Sequence, residues 1–290
     1  MMDRRLFLLA SGATLVGAAV PQARPSIVRP DFARIEARLG RGGRLGVAAL
    51  DTASGRRLAR RENERFALCS TFKLPLVAAI LAEVDRGRRS LSDEIAFGAA
   101  DLLDYAPVVR ANLARGRLTV EELCAAAIEV SDNSAANLLL RPLGGPAALN
   151  RFFRRCGDRV SRLDRPEEGL GSNVPGDPRD TTSPAAMLGS MRRILLGDVL
   201  RADSRARLID WMDRVTTGMH RLSAGFPDDW RIGHKTGTGA NGAANDIAIA
   251  WPPGRQPILL ASYLTGGTAD GAARDAVHAE VARTVAAAFA

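Results

Sequence analysis

Hydrophobic and polar positions change their rhythm along the chain, and each change marks a different kind of element. Pro30 to Leu39 carries apolar residues at helical spacing and runs into the glycines at 40, 42 and 43, which predicts a short amphipathic helix. Arg44 to Asp51 and Arg56 to Arg61 are extended runs joined by Thr52-Ala53-Ser54-Gly55, a hairpin signature. From Ser70 to about Asn150 the period lengthens to that of helices, as in Phe72-Lys73-Leu74-Pro75-Leu76-Val77 and Val120-Glu121-Glu122-Leu123-Cys124-Ala125-Ala126. Between Cys156 and Ser183 regularity is lost, and Pro166, Gly169, Gly171, Pro175, Gly176 and Pro178 punctuate a stretch too long for a passive connector. Loops of that length in compact domains usually carry function. Strand patterns return at Trp230 to Lys235, Asn245 to Trp251 and Pro257 to Leu264, and an Ala-rich helix from Gly271 to Ala288 closes the chain.

Strands at both ends with helices between them predict an α/β chain of the α+β kind: an antiparallel sheet of about five strands flanked by helices, with an all-α lobe inserted in the middle. The expected division is residues 24–62 plus 214–290 for the sheet domain and 63–213 for the helical domain, with the active site in the cleft between them. Residues 1–23, MMDRRLFLLASGATLVGAAVPQA, have a charged start, an apolar run from Leu6 to Val20 and an Ala/Gly-rich end. They read as an export signal rather than a membrane span, and Arg4-Arg5 before Leu6-Phe7-Leu8 looks like a twin-arginine signal, which places the mature protein in the periplasm.

Composition narrows the class. With 290 residues, 46% hydrophobic and 25% charged, the chain is neither disordered, collagenous nor a polytopic membrane protein. The charge of +8 is scattered, as in Arg56-Arg57 and Arg154-Arg155, with few aromatics between and no nucleic-acid-binding motif, so it reads as a solvated surface. Cys69, Cys124 and Cys156 cannot all pair within one chain, and they sit in apolar surroundings as small hydrophobes. Neither they nor His220, His234 and His278 have metal-ligand spacing, so no metal is expected.

The chemistry lies in the two lysines. Of 40 basic residues only Lys73 and Lys235 are Lys. Arg cannot lose its proton at accessible pH, so a proton relay or general base has to be something else. Ser70-Thr71-Phe72-Lys73 opens a helical pattern, which puts the hydroxyl and the amine one turn apart on one face. A partly desolvated amine there can take the serine proton. The other lysine stands in His234-Lys235-Thr236-Gly237-Thr238-Gly239, a strand running into glycines that let a ligand approach closely; the amides of Ser70 and Thr238 could form an oxyanion hole. Ser131-Asp132-Asn133 adds a second hydroxyl with an amide two residues on.

In this order the three motifs resemble the signature of the penicillin-recognising serine enzymes. Leu163-Asp164-Arg165-Pro166-Glu167-Glu168-Gly169-Leu170, followed by Gly176-Asp177-Pro178-Arg179-Asp180, is similar to the Ω-loop of class A β-lactamases, here residues 162–180, and the likeness covers essentially the whole mature chain. The resemblance implies hydrolysis of the β-lactam ring, and hence resistance, through a Ser70 acyl-enzyme. In that scheme Lys73 is base or relay, Ser131 hands a proton to the lactam nitrogen, Lys235 holds its field on Ser131 and the substrate carboxylate, and Glu167 activates the deacylating water. Whether Glu167 or Lys73 is the acylation base stays open. Substrate contacts fall to Tyr105 at the cleft mouth, to Asn133 for the acylamide side chain, and to Thr236, Gly237, Thr238 and Arg221. Arg165 and Asp180 would tie the loop's neck. No cofactor is implied, and the partner is a small β-lactam met by a monomer.

The chain departs from the family at several points. Gly171 stands where an Asn commonly helps to hold the hydrolytic water, which predicts slower deacylation of some substrates. Ala243 or Ala244 replaces a carboxylate-binding Arg, and Arg221 is similar to the alternative Arg that other members use. Gly239 rules out the bridge that some members make from the position of Cys69, and Val77 leaves Cys124 without a partner. The competing readings are a D-alanyl-D-alanine peptidase or transpeptidase, which shares the three motifs without this loop, and a β-lactam-binding sensor that stays acylated.

Overall fold

The computed structural model describes residues 30–290; the export signal expected over residues 1–23 lies outside the described residues. The first segment gives helix α1 (Phe32–Ala37), strands β1 (Arg44–Asp51), β2 (Arg57–Arg60) and β3 (Phe66–Ala67), and helix α2 (Lys73–Asp85). The middle holds β4 (Glu94–Ala96), α3 (Pro107–Ala111), β5 (Arg117–Thr119), α4 (Val120–Glu129), α5 (Asn133–Leu143), α6 (Gly145–Arg155), β6 (Thr181–Thr182), α7 (Pro184–Leu195) and α8 (Ala202–Asp213). The chain ends with β7 (Arg231–Thr238), β8 (Ala244–Trp251), β9 (Ile258–Thr265) and α9 (Gly271–Phe289).

The predicted sheet forms as a five-stranded antiparallel sheet in the order β2-β1-β9-β8-β7. The first strand of the chain therefore lies between its hairpin partner and the last strand. Side chains alternate across a strand, so β9 serves two cores at once: Leu260 and Leu264 face α1 and α9, while Leu259, Ala261 and Tyr263 face the helical region. Both faces are covered, which is why β8 and β9 read as nearly continuous apolar runs instead of alternating.

Helix α2 is the axis of the helical region. Every residue from Lys73 to Ala82 is buried, so the helix needs apolar residues all round and presents no amphipathic stripe. Pro75 is tolerated because it lies in the first turn, where its missing N–H breaks no helical hydrogen bond. Helix α4 starts at a capping box, with the Glu122 amide donating to Thr119 Oγ1 (3.1 Å) and the Thr119 amide to Glu122 Oε2 (2.7 Å). Among the described residues no helix is long and apolar enough to cross a membrane. All three cysteines are free and buried; burial pushes the Cys69 thiol up to about 12 and the Cys156 thiol up to about 11.

His278 fastens α9 to the sheet. It is fully buried, its Nε2–H donates to the carbonyl of Ala244 (3.1 Å), and its Nδ1 is bonded to the Ser262 hydroxyl (2.9 Å), which donates to it when the ring is neutral. Burial lowers its pKa to about 4 from 6.5. Between those values the unfolded chain takes up a proton that the folded chain refuses, so stability is fully present above about 6.5 and falls as pH drops toward 4. We expect a loss of up to roughly 3 kcal/mol across that interval from this residue. Urea unfolding of the parent and His278→Gln at pH 7 and pH 5 checks it; equal losses in both proteins would remove His278 as the cause.

Candidate active site

Ser70 and Lys73 come together as their spacing requires, with one correction to the local geometry. The helix does not open at Ser70: Cys69–Phe72 form a 3-10 turn, and α2 proper starts at Lys73. The tighter winding nearly eclipses positions three apart and leaves Lys73 Nζ 3.2 Å from Ser70 Oγ. Cys69 pays for this entry with a left-handed backbone (φ 43°), and Ser131 is left-handed as well (φ 59°).

Lys73 is wholly buried, and its ammonium is met by four residues from three segments. It donates to Asn133 Oδ1 (2.6 Å), to the Ser131 carbonyl (2.8 Å) and hydroxyl (3.3 Å), and to Ser70 Oγ, and it pairs with Glu167 Oε1 at 2.9 Å. Burial lowers its pKa, and the Glu167 carboxylate works against that shift. Glu167 Oε1 also lies 3.4 Å from Ser70 Oγ, so one carboxylate oxygen reaches both the hydroxyl and the amine.

Lys235 is fully buried on β7 and donates to the Thr236 carbonyl (2.9 Å). Burial first, then the Lys73 charge, lower its pKa well below the ordinary value. It makes no hydrogen bond to Ser131 in this arrangement; Ser131 Oγ is bonded to Lys73 instead. Gly237 lets β7 pass directly over the 3-10 turn: a Cβ there would stand 3.0 Å from Cys69 Cβ and 3.1 Å from the Ser70 nitrogen. That close approach brings Thr238, at the end of β7, beside Ser70.

The cleft itself has a volume of about 340 Å³ and is lined by Ser70, Tyr105, Ser131, Asn133, Thr217, Thr236, Gly237 and Thr238. Tyr105 is half exposed at its edge. Arg221 is nearly buried and spends its donors inside the protein: Nε on Asp275 (2.8 Å), Nη1 on the carbonyls of Gly237 and Asn245 (both 3.0 Å), and Nη2 on Thr238 Oγ1 (2.9 Å). It therefore sits behind Thr238. A more spacious cavity of about 1130 Å³, lined among others by Cys156, Asp158 and Ser190, contains none of these groups.

Arg165 and Asp180 meet at the loop's neck. Arg165 Nε donates to Asp180 Oδ2 (2.5 Å), and Asp180 Oδ1 also accepts from the amides of Asp164 (2.6 Å) and Arg165 (3.0 Å). The supporting contacts of three residues escaped the sequence reading. Asn137 accepts the Glu167 amide (2.9 Å), and its place one turn beyond Asn133 on α5 is a signal that helical spacing could have supplied. Asp132 caps α5 through Ala135 (2.8 Å) and takes the amides of Val108 and Val109 (2.9 and 3.0 Å), which ties Ser131 and Asn133 to α3. Asn245 donates to the carbonyls of Ala67 and Leu68 (2.9 and 3.3 Å), joining β8 to the turn before Ser70. The last two contacts join segments far apart in the chain, and no spacing announces them.

Comparison with known proteins identifies the family. The family model described as "Beta-lactamase enzyme family" matches residues 31–289. The carbapenem-hydrolyzing β-lactamase KPC of Klebsiella oxytoca is 44% identical over 281 residues, which are 97% of this chain and 95% of that protein. A β-lactamase of Streptomyces albus G is 49% identical over 251 residues, 84% of this chain and 80% of that protein. Among solved structures, an ancestral (GNCA) class A β-lactamase superposes with a TM-score of 0.86 at 56% identity, covering 89% of this chain and 98% of that one. The putative class A β-lactamase PenP of Rhodopseudomonas palustris gives 0.86 at 49%, covering 89% and 97%. The chain belongs to the β-lactamase enzyme family, in its serine class A.

Asp180 is wholly buried, so removing its carboxylate strands two backbone amides and the Arg165 guanidinium. Asp180→Ala is expected to cost about 3 kcal/mol. Thermal unfolding measures this, and a variant as stable as the parent would show that the neck is held by other contacts.

Proposed function

We propose that the protein opens the lactam amide of penicillins and cephalosporins, hydrolyses the resulting ester on Ser70, and so confers resistance to these antibiotics. The observation that carries the reading is the Glu167 carboxylate at 2.9 Å from Lys73 Nζ and 3.4 Å from Ser70 Oγ. A peptidase or a permanently acylated sensor needs the serine and the amine but has no use for this third group.

In this mechanism Ser70 Oγ adds to the lactam carbonyl carbon and gives its proton to a base. Two bases stand within reach, Lys73 Nζ at 3.2 Å and Glu167 Oε1 at 3.4 Å. The amides of Ser70 and Thr238 hold the oxyanion. As the ring C–N bond breaks, Ser131 Oγ passes a proton to the nitrogen and is resupplied by Lys73, 3.3 Å away. Glu167 then takes a proton from the water that attacks the ester carbonyl and returns it to Ser70 Oγ, 3.4 Å away, as the acyl C–O bond breaks.

Asn133 spends Oδ1 on Lys73, which leaves its Nδ2 to donate to the acylamide of the substrate. Thr236, Thr238 and the buried charge of Lys235 receive the substrate carboxylate. Gly237 lets the acyl group lie along β7, Tyr105 covers the mouth, and Arg221 acts by orienting Thr238 Oγ1. Gly171 offers no side chain to share the water with Glu167, so deacylation of some substrates is slow. The same reading divides the chain into a sheet lobe (24–62 plus 214–290) and a helical lobe (63–213). It also has the protein exported to the periplasm by residues 1–23 through the twin-arginine route and working there as a monomer.

With a chromogenic cephalosporin the purified protein is expected to turn over many equivalents and to return unmodified by intact mass. Ser70→Ala should take no covalent label, and Glu167→Ala should accumulate acyl-enzyme. A single-equivalent burst from the parent would move the protein to the peptidase or sensor class. Lys73→Arg keeps the charge but loses the removable proton and is expected to lose at least about a hundredfold in kcat/KM. Activity near that of the parent would sink the role given to Lys73.

A further inference from the structure

We propose that Asn173 and Asn241 form a clasp that positions the segment carrying Glu167, which makes both of them positioning residues for the water-consuming half of the reaction. The inference rests on the deacylating role proposed for Glu167. Asn173 Nδ2 donates to the Asn241 carbonyl (3.0 Å), the Ala240 carbonyl (3.2 Å) and Thr265 Oγ1 (2.8 Å). Asn241 Nδ2 answers with the carbonyls of Ser172 (3.1 Å) and Asn173 (3.3 Å). The amide of Ala240 donates to the Gly171 carbonyl (2.8 Å).

The two asparagines are both left-handed (φ 43° and 49°), a conformation Asn adopts more readily than most residues, and this turns each amide toward the other loop. Gly171 and Gly239 make the approach close enough: a Cβ on Gly239 would lie 2.7 Å from the Gly171 oxygen, and one on Gly171 would face Gly239 Cα at 3.8 Å. Burial does not hold this part of the loop, since Val174, Pro175 and Gly176 are exposed. Nor does a side chain at Gly171. Between the Glu167 amide on Asn137 and the neck at Asp180, the loop is held by the buried side chain of Leu170, by the Ala240 amide on the Gly171 carbonyl, by Arg165 Nη2 on Ser172 Oγ (3.1 Å) and, at the residue beyond, by this clasp. A released clasp loosens the loop at Ser172–Asn173, and the shift passes through the three residues between Gly171 and Glu167 to the carboxylate, which loses its register with the acyl carbon.

The test separates the two halves of the reaction by stopped flow and rapid-quench intact mass. Asn173→Gly and Asn241→Gly keep the left-handed backbone open and remove the amides; Asn241→Asp keeps the shape and sets a carboxylate, which only accepts, against the carbonyls of Ser172 and Asn173. Each is expected to acylate within about twofold of the parent and to deacylate about tenfold more slowly, so that acyl-enzyme dominates at steady state. A merely structural contact would lower the melting temperature and leave the ratio of the two rates unchanged, and that result overturns the proposal. Glu167→Ala run alongside keeps the two ideas apart. Accumulation there with none in the clasp variants removes the clasp alone, whereas parent-like turnover by Glu167→Ala removes both.

Discussion

A fully buried ammonium is the constraint on which the site depends. Lys73 sits in the first turn of a helix whose next nine residues are also buried, so water cannot satisfy it. An isolated charge in such a place costs several kcal/mol, and the fold has to answer with oxygens. Ser131 supplies two of them only because its backbone is left-handed, Asn133 turns its amide oxygen inward, and the loop brings a carboxylate. The groups proposed to move protons are the groups that keep Lys73 soluble in the protein. Stability and the proposed chemistry therefore share their contacts, and loss of any one acceptor is felt by both.

The second device is approach by missing side chains. Gly237 over Ser70 and Gly239 against Gly171 bring three backbones within contact distance, so that strand, turn and loop meet without packing atoms between them. Around that junction the polar side chains work mostly as struts. Arg221 binds four acceptors behind Thr238, Asn245 ties β8 to the approach of Ser70, and Asp180 holds the loop's neck from a site with no exposure. Away from the site, the Arg44–Glu64, Arg57–Glu62 and Arg115–Glu122 pairs are partly exposed and contribute little individually.

The sequence by itself determined the strands at both ends, the helices between them, and the short-range pairs. Ser70 and Lys73, Ser131 and Asn133, and the Lys235-to-Gly239 run are legible because helix and strand periods convert a few residues of spacing into a shared face. The scarcity of lysine marked both buried amines for a reason that holds without a structure: only an amine among the strong cations can give up its proton. Even the loop was visible as a break in periodicity. Tertiary structure decided the rest. Whether Glu167 reaches Lys73, which amide anchors its backbone, and that Arg221 faces inward to Thr238 depend on contacts between residues separated by long stretches of chain. Such contacts are set by how the two cores stack on one sheet, and residue spacing carries no record of that stacking. The left-handed turns at Cys69, Ser131, Asn173 and Asn241 belong to the same class, because only the packing around a non-glycine residue can hold it there.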